Sequence, residues 1–137
     1  MFKQNFDLEK LKEMDANSIG GHLGIEYLEI GTDFIKAKMP VDYRTKQPFG
    51  LLHGGASVVL AESLGSVASV LSLDDPFTQK AVGVEINANH LRGVRDGYVY
   101  GTVRPLHVGK RTHVWEIKIE NEEGKLVCVS RLTVAIV

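Results

Sequence analysis

Residues 47–73 read QPFGLLHGGASVVLAESLGSVASVLSL. Glu62 is the only formally charged side chain in this stretch. After the His53-Gly54-Gly55 turn, a run of Ala, Val, Leu, Ser and Gly predicts one long helix from Gly54 to Leu73. A helix that is apolar on nearly every side belongs inside a protein. A carboxylate buried there costs several kcal/mol unless it is paired, hydrogen-bonded or neutralised. No Lys or Arg lies at helical spacing from Glu62, so a chemical role is a better reading than a structural ion pair. The glycine pair at the helix start points the same way. It bares backbone N–H groups at the positive end of the helix dipole, where an anion or a developing oxyanion sits.

The same run has the length of a membrane span, 20 residues or about 30 Å as a helix. Glu62 near its middle, five serines and three glycines argue against that use, and no second span or basic flank accompanies it. No membrane association is expected. The 137 residues fit one domain, 1–137. With 44% hydrophobic and 24% charged residues, the chain can build a core without metals or disulfides. A net charge of −1 argues against a nucleic-acid-binding field, although a local basic cluster can hold a phosphorylated small molecule. The lone Cys128 excludes an intrachain disulfide, fits a reducing compartment and reads as a buried structural thiol. The N-terminal MFKQNFDLEKLKEMDANS has no signal-peptide core, so a cytoplasmic location is expected.

Around the central helix the chain divides cleanly. Asp7 to Met14 reads as a short amphipathic helix broken by Gly20-Gly21. Ile25–Ile30 and Phe34–Met39 read as strands joined at Gly31-Thr32-Asp33, and a loop with an exposed Arg44-Thr45-Lys46 leads to the helix. Beyond Asp74-Asp75-Pro76 the pattern becomes period two. Val82, Val84 and Ile86 alternate with Gly83, Glu85 and Asn87; a second strand starts at Val99 and Val103, with Pro105 at a bend or an edge. Trp115, Ile117 and Ile119 mark a third strand and Leu126–Val137 a fourth. Short turns between these four strands predict antiparallel pairing. The order α-β-β-α-β-β-β-β gives an α+β fold in which an antiparallel sheet curls around one buried helix.

Four blocks carry a family resemblance: MPVDYRTKQPFGLLHGGASVVLAESLGS (39–66), VGVEINANHLR (82–92), PLHVGKRTHVWEI (105–117) and SRLTVAIV (130–137). In this order, with HGG opening the helix and Glu nine residues after the His, the chain resembles the hotdog-fold acyl-CoA thioesterases. Within them it is most similar to the bacterial 1,4-dihydroxy-2-naphthoyl-CoA thioesterases of menaquinone synthesis, beside the 4-hydroxybenzoyl-CoA and phenylacetate-pathway enzymes. The resemblance implies hydrolysis of aromatic acyl-CoA thioesters without a cofactor, by a homo-oligomer, a dimer at least and a dimer of dimers by analogy, with sites at the dimer interface.

Thioester hydrolysis needs a carboxylate that attacks the carbonyl or activates a water, and Glu62 is the candidate for either role. The Gly54 N–H is the candidate oxyanion donor. The resemblance adds Gln47 as a ligand of the thioester carbonyl and His53 as a residue that positions the site; read alone, His53 serves equally as a helix cap. Ser66, one turn after Glu62, either orients the carboxylate or bonds back to the helix backbone. His90 with Arg92 and Lys110 with Arg111 offer cations for the phosphates of CoA. The resemblance places CoA along Gly83, along His90, Leu91, Arg92 and Gly93, and along His107, Val108, Gly109, Lys110, Arg111 and Thr112. His22, His113 and Trp115 show no chemical partner in the sequence, and Trp115 reads as core or interface.

The five histidines have no Cys or carboxylate at zinc-ligand spacing, and neither a nucleophile elbow nor a P-loop is present. Three other readings compete. A proofreading thioesterase for aryl-carrier proteins would use the same fold and the same Glu. A hotdog acyl-CoA hydratase or dehydratase would pair His with the helix acid, but here His53 sits in the HGG context. An acyl-CoA sensor would need an output domain for which 137 residues leave no room.

Overall fold

In the second half of the chain the apolar positions Val99, Val103, Ile117, Ile119, Leu132 and Val134 alternate with polar ones, and all six are fully buried. A computed structural model describes residues 1–137. Its elements are α1 (Leu8–Asp15), α2 (Ile19–His22), β1 (Glu26–Ile30), β2 (Ile35–Pro40), α3 (Gly54–Leu71), β3 (Ala81–His90), β4 (Tyr98–Val108), β5 (Thr112–Glu120) and β6 (Leu126–Ile136). The strands form one six-stranded antiparallel sheet in the order β1-β2-β4-β5-β6-β3. Helix α3 packs on five of them, β2 to β6. Strands lie about 4.8 Å apart and a helix is only about 10 Å across, so the sheet must curve around α3 to make those contacts. This is the hotdog arrangement that the resemblance implies. The long apolar helix, which by length and composition alone suits a membrane, is the core helix of the fold.

The helix comes closest to the sheet where both carry glycine. A side chain at Gly101 of β4 would begin 2.8 Å from Leu64 Cδ1, and one at Gly65 of α3 would collide with Leu132. Leu60, Leu64, Ala68 and Leu71 fill the space between, with no exposed surface. The C-terminal end of α3 would leave bare carbonyls. The N-terminal segment covers them: Lys3 and Gln4 N–H groups donate to the Leu71 carbonyl at 2.7 and 2.9 Å, and Gln4 Nε2 to that of Leu73 at 2.7 Å.

Four local expectations change. The helix ends at Leu71 rather than Leu73, with Ser72 as its cap and Ser72 Oγ donating to the Ala68 carbonyl. Gly20 and Gly21 lie inside α2 instead of breaking α1, which ends at Asp15; a side chain at either glycine would collide with Asp15. Thr45 is buried, its hydroxyl donating to the Pro40 carbonyl at 2.7 Å, while Arg44 and Lys46 are exposed. Strand β3 pairs with β6, the last strand, and not with β4. The link 91–97 is too long for a tight hairpin and is pinned elsewhere: Leu91 N–H donates to Val127, the Val94 carbonyl accepts from Leu52, and the Gly97 carbonyl accepts from Val41. It carries the chain past the start of α3 to the far side of the sheet.

A bulge between Gly83 and Glu85 also changes which residues of β3 share a face. Gly83, not Val82 or Val84, faces the helix with Ile86, and Val82 and Val84 are left 46% and 60% exposed on the free edge. Pro105 lies in β4 just beyond the last residue paired with β2, at a register shift against β5, so its missing N–H interrupts no β2 ladder bond.

His113 and Trp115 do have a partner. Trp115 Nε1 donates to Ser69 Oγ at 2.7 Å, and His113 Nδ1 lies 3.0 Å from the same oxygen, all three residues being buried. Burial pushes the His113 imidazole below its ordinary range, against a smaller opposing pull from the Gly109 backbone. The unfolded chain therefore binds more protons than the folded one at pH values between the depressed folded pKa and about 6.5. Stability is expected to fall as pH drops below about 6.5. His113→Asn should weaken the fold at pH 7 and flatten the decline in Tm between pH 7 and pH 5; parallel declines in both proteins would remove His113 as its cause.

Candidate active site

The loop before α3 sets the donors at the helix N-terminus. His53 is extended (φ −69°, ψ 130°), and its Nδ1 accepts the Gly55 N–H at 2.8 Å, so it caps the helix. That bond leaves the Gly54 N–H as a helix-terminal donor with no acceptor in the chain. Gln47 is held just as firmly. Its N–H donates to the Leu51 carbonyl at 2.8 Å, and its Oε1 accepts the Phe49 N–H at 2.5 Å. With Oε1 occupied by a backbone donor, Nε2 is left as a second donor with no acceptor in the chain.

Gln47 and Gly54 line one cavity of about 400 Å³, together with Leu51, Leu52 and Val127 and the segment His90–Gly93. The His90 ring packs over Gly54: a side chain there would begin 2.7 Å from His90 Nε2. Glycine at 54 thus serves close packing with β3 as well as open access to its N–H. The cavity holds one polar residue that sequence reasoning missed. Ser57, 1% exposed, lines it, and its hydroxyl has no hydrogen-bond partner in the chain. The available signal was its position three residues after Gly54, on the same side of the helix.

Glu62 lies elsewhere. The buried residues of α3 form one stripe, and Gly55, Val58, Val59, Glu62, Ser63, Ser66, Val67 and Val70 form the other, none of them buried. The expectation of a Glu engulfed by its own chain is corrected: Glu62 is half-buried on the outer face of α3 and makes no hydrogen bond or ion pair within the chain. Ser66 is on the same face, and its hydroxyl bonds neither back to the helix nor to Glu62. Gly83 makes room for the carboxylate, since a side chain there would begin 2.6 Å from Glu62 Oε2. Glu62 is eight residues from Gly54, about 12 Å along the helix axis. That is further than a glutamate side chain reaches, so one chain cannot present both groups to one carbonyl.

The basic clusters also separate. His90–Gly93 is at the N-terminal end of α3, beside Gly54. The turn that carries Gly109 and Lys110 is at the other end, beside Ser72, Leu73 and Asp74 around a cavity of about 340 Å³. The Gly109 N–H and Thr112 carbonyl close this turn at 2.9 Å, and His107 packs over Gly109. Arg92, Lys110 and Arg111 take no part in any ion pair of the chain, which leaves all three free for an anion.

Residues 49–128 match the model of the thioesterase superfamily. Over 136 residues the chain is 55% identical to the 1,4-dihydroxy-2-naphthoyl-CoA hydrolase of Escherichia coli, covering 99% of this chain and 98% of that protein. It is 48% identical to a proofreading thioesterase of Cronobacter turicensis, covering 99% and 98%. Among solved structures, a mutant thioesterase from Pseudomonas aeruginosa superposes with a TM-score of 0.96 at 52% identity, covering 99% of this chain and 97% of that one.

Proposed function

The chain belongs to the thioesterase superfamily, and from that premise we propose that it hydrolyses aromatic acyl-CoA thioesters to the free acid and CoA in the cytoplasm. 1,4-Dihydroxy-2-naphthoyl-CoA is the proposed substrate, on the strength of the E. coli relative, and would place the reaction in menaquinone synthesis. The observation that carries the reading is the pair of unused donors, Gly54 N–H and Gln47 Nε2, held at the positive end of α3 beside a cavity. Together they bind the thioester oxygen and the negative charge it gains in the tetrahedral state.

Glu62 then acts in one of two ways. As a nucleophile, its oxygen bonds the carbonyl carbon, the C–S bond breaks, CoA leaves as a thiolate that takes up a proton, and water cleaves the anhydride. As a general base, it takes a proton from a water whose oxygen bonds the carbonyl carbon, and the proton leaves with the departing thiol. In either case the Glu62 in reach of Gly54 comes from a second copy of the chain. The open stripe of α3 and the free edge of β3, each a liability in a lone chain, support such an assembly. A two-fold axis that joins β3 to β3 sets the two α3 helices side by side and antiparallel. His90, Arg92 and the free amides of one chain then lie beside the Lys110–Arg111 turn of the other, so one CoA spans both basic clusters. A dimer of such dimers is the proposed assembly, and 1–137 is proposed as one domain.

A second reading is that the same machinery releases aryl groups from a carrier protein; it is supported by the Cronobacter relative's being a proofreading thioesterase. Free-thiol release measured across aryl-CoA, aliphatic acyl-CoA and aryl-carrier thioesters tests both. Turnover of aryl-CoA well above that of acetyl-CoA is expected. Activity on carrier thioesters alone would favour proofreading, and equal or faster turnover of acetyl-CoA would reject an aromatic acyl site.

A further inference from the structure

The buried pair Ser69 and His113 does more than the core requires. Trp115 Nε1 can only donate, so Ser69 Oγ is its acceptor, at 2.7 Å. One serine satisfies that N–H. Its own proton can then return to the carbonyl four residues earlier, as Ser72 Oγ bonds to Ala68. Ser69 instead faces His113 Nδ1 at 3.0 Å. Donation from Ser69 to Nδ1 uses both functions of the hydroxyl and puts the imidazole proton on Nε2. An apolar residue at 113 would avoid the cost of burying an imidazole, so the contact serves something besides packing.

The turn beside His113 is what it serves. His113 pairs with Val108 at the base of the β4–β5 turn, which the Gly109 N–H and the Thr112 carbonyl close at 2.9 Å. His113 also lines the cavity of about 340 Å³ between the end of α3 (Ser72, Leu73, Asp74) and the turn (Gly109, Lys110). Ser69 is in the last turn of α3, three residues before Ser72. The contact therefore joins the roots of the two cavity walls. We propose that the Ser69–His113 contact clamps the 109–112 turn to the end of α3 and so positions Lys110 and Arg111 for the phosphates of CoA. The proposal rests on the reading that CoA binds at this turn. Both cations are exposed and in no ion pair. A turn free to swing must be ordered when its ligand binds, which weakens binding, and a turn held beforehand avoids that loss. His113 is thus a positioning residue that acts through the turn. Its effect falls on the nucleotide end of the substrate, since Gly54 and Gln47 line a different cavity.

The test compares His113→Leu, His113→Asn and Ser69→Ala with the wild type on benzoyl-CoA and on benzoyl-pantetheine, which lacks the nucleotide, with Tm of each protein. Leucine fills the space of the ring without a polar atom and leaves Ser69 free to bond its own helix. Asparagine places an amide oxygen where Nδ1 stands and keeps the bond from Ser69. His113→Leu and Ser69→Ala are expected to raise KM for benzoyl-CoA about fivefold or more. Their kcat, and their KM for benzoyl-pantetheine, should stay within about twofold of wild type. His113→Asn should keep KM for benzoyl-CoA within about twofold, whatever its Tm. An equal loss on the two substrates, or a loss that follows Tm across the variants, would mean a structural role and overturn the proposal. An unchanged KM in His113→Leu, or a raised KM in His113→Asn, would overturn it as well. If Ser69→Ala does not fold, the two His113 variants decide alone. Equal wild-type KM on the two substrates would remove the phosphates from the turn, and this proposal with them, while leaving the thioesterase reading intact. Failure of the wild type to hydrolyse either substrate would reject both.

Discussion

Glu62→Gln is expected to lower kcat by at least about 100-fold while leaving the fold and assembly unchanged. Glutamine keeps the volume and most of the polarity of glutamate but can neither attack a carbonyl at neutral pH nor take a proton from water, and loss of such a group costs at least about 10²-fold. The fold should not notice. Glu62 makes no hydrogen bond or ion pair, and its face of α3 is not buried. Substitutions away from such features usually stay within about 0.5 kcal/mol. KM should move little, because the donors that hold the carbonyl are Gly54 and Gln47. Steady-state kinetics with melting curves and light scattering on both proteins separates these effects. Near-normal turnover by Glu62→Gln would end the assignment of Glu62 to the chemistry.

What the sequence discloses here is local, and what it hides is made by pairing at a distance. The stretch 54–71 declares its helix through composition, and the period-two runs around Ile86, Val103, Ile117 and Leu132 declare strands. Nothing local tells β3 to pair with β6, since that contact joins the start of the second half to its end. The bulge that turns Gly83 inward appears in the sequence as one more step of an alternation. His90 over Gly54, and Ser69 shared by Trp115 and His113, are likewise contacts between distant segments.

For the candidate site, Gln47, His53 and Gly54 were legible as a group because they share one short loop and a helix start. Glu62 was legible as an isolated charge. Its setting was misjudged, because a helix apolar on all sides looks the same whether its own chain or a second copy covers it. Ser57 passed unnoticed among the five serines of the run, since only a three-dimensional account of its missing partner sets it apart.

The second large effect is a recovery of activity from two dead proteins. Gly54→Pro should remove the oxyanion donor with little damage to the helix. Proline is favoured at the first helical position, Gly54 has no positive φ, and His53 before it already has the extended backbone that a following proline requires. The His90 ring must shift, which an exposed side chain can do. Glu62→Gln and Gly54→Pro homo-oligomers should each be inactive. In a mixed dimer, one site joins the intact Glu62 of the Gly54→Pro chain to the intact Gly54 of the Glu62→Gln chain, and the other site carries both defects. Random pairing gives half mixed dimers with one good site in two, or about a quarter of wild-type activity. If one chain supplied both groups, no mixture would contain a working site. The decisive measurement is therefore thioester hydrolysis by an equimolar mixture of the two variants, unfolded and refolded together, once each has been shown to assemble alone and mixed dimers have been shown to form. Recovery to about a quarter of wild-type activity is the expected result, and a mixture no more active than its parents would contradict the two-chain site.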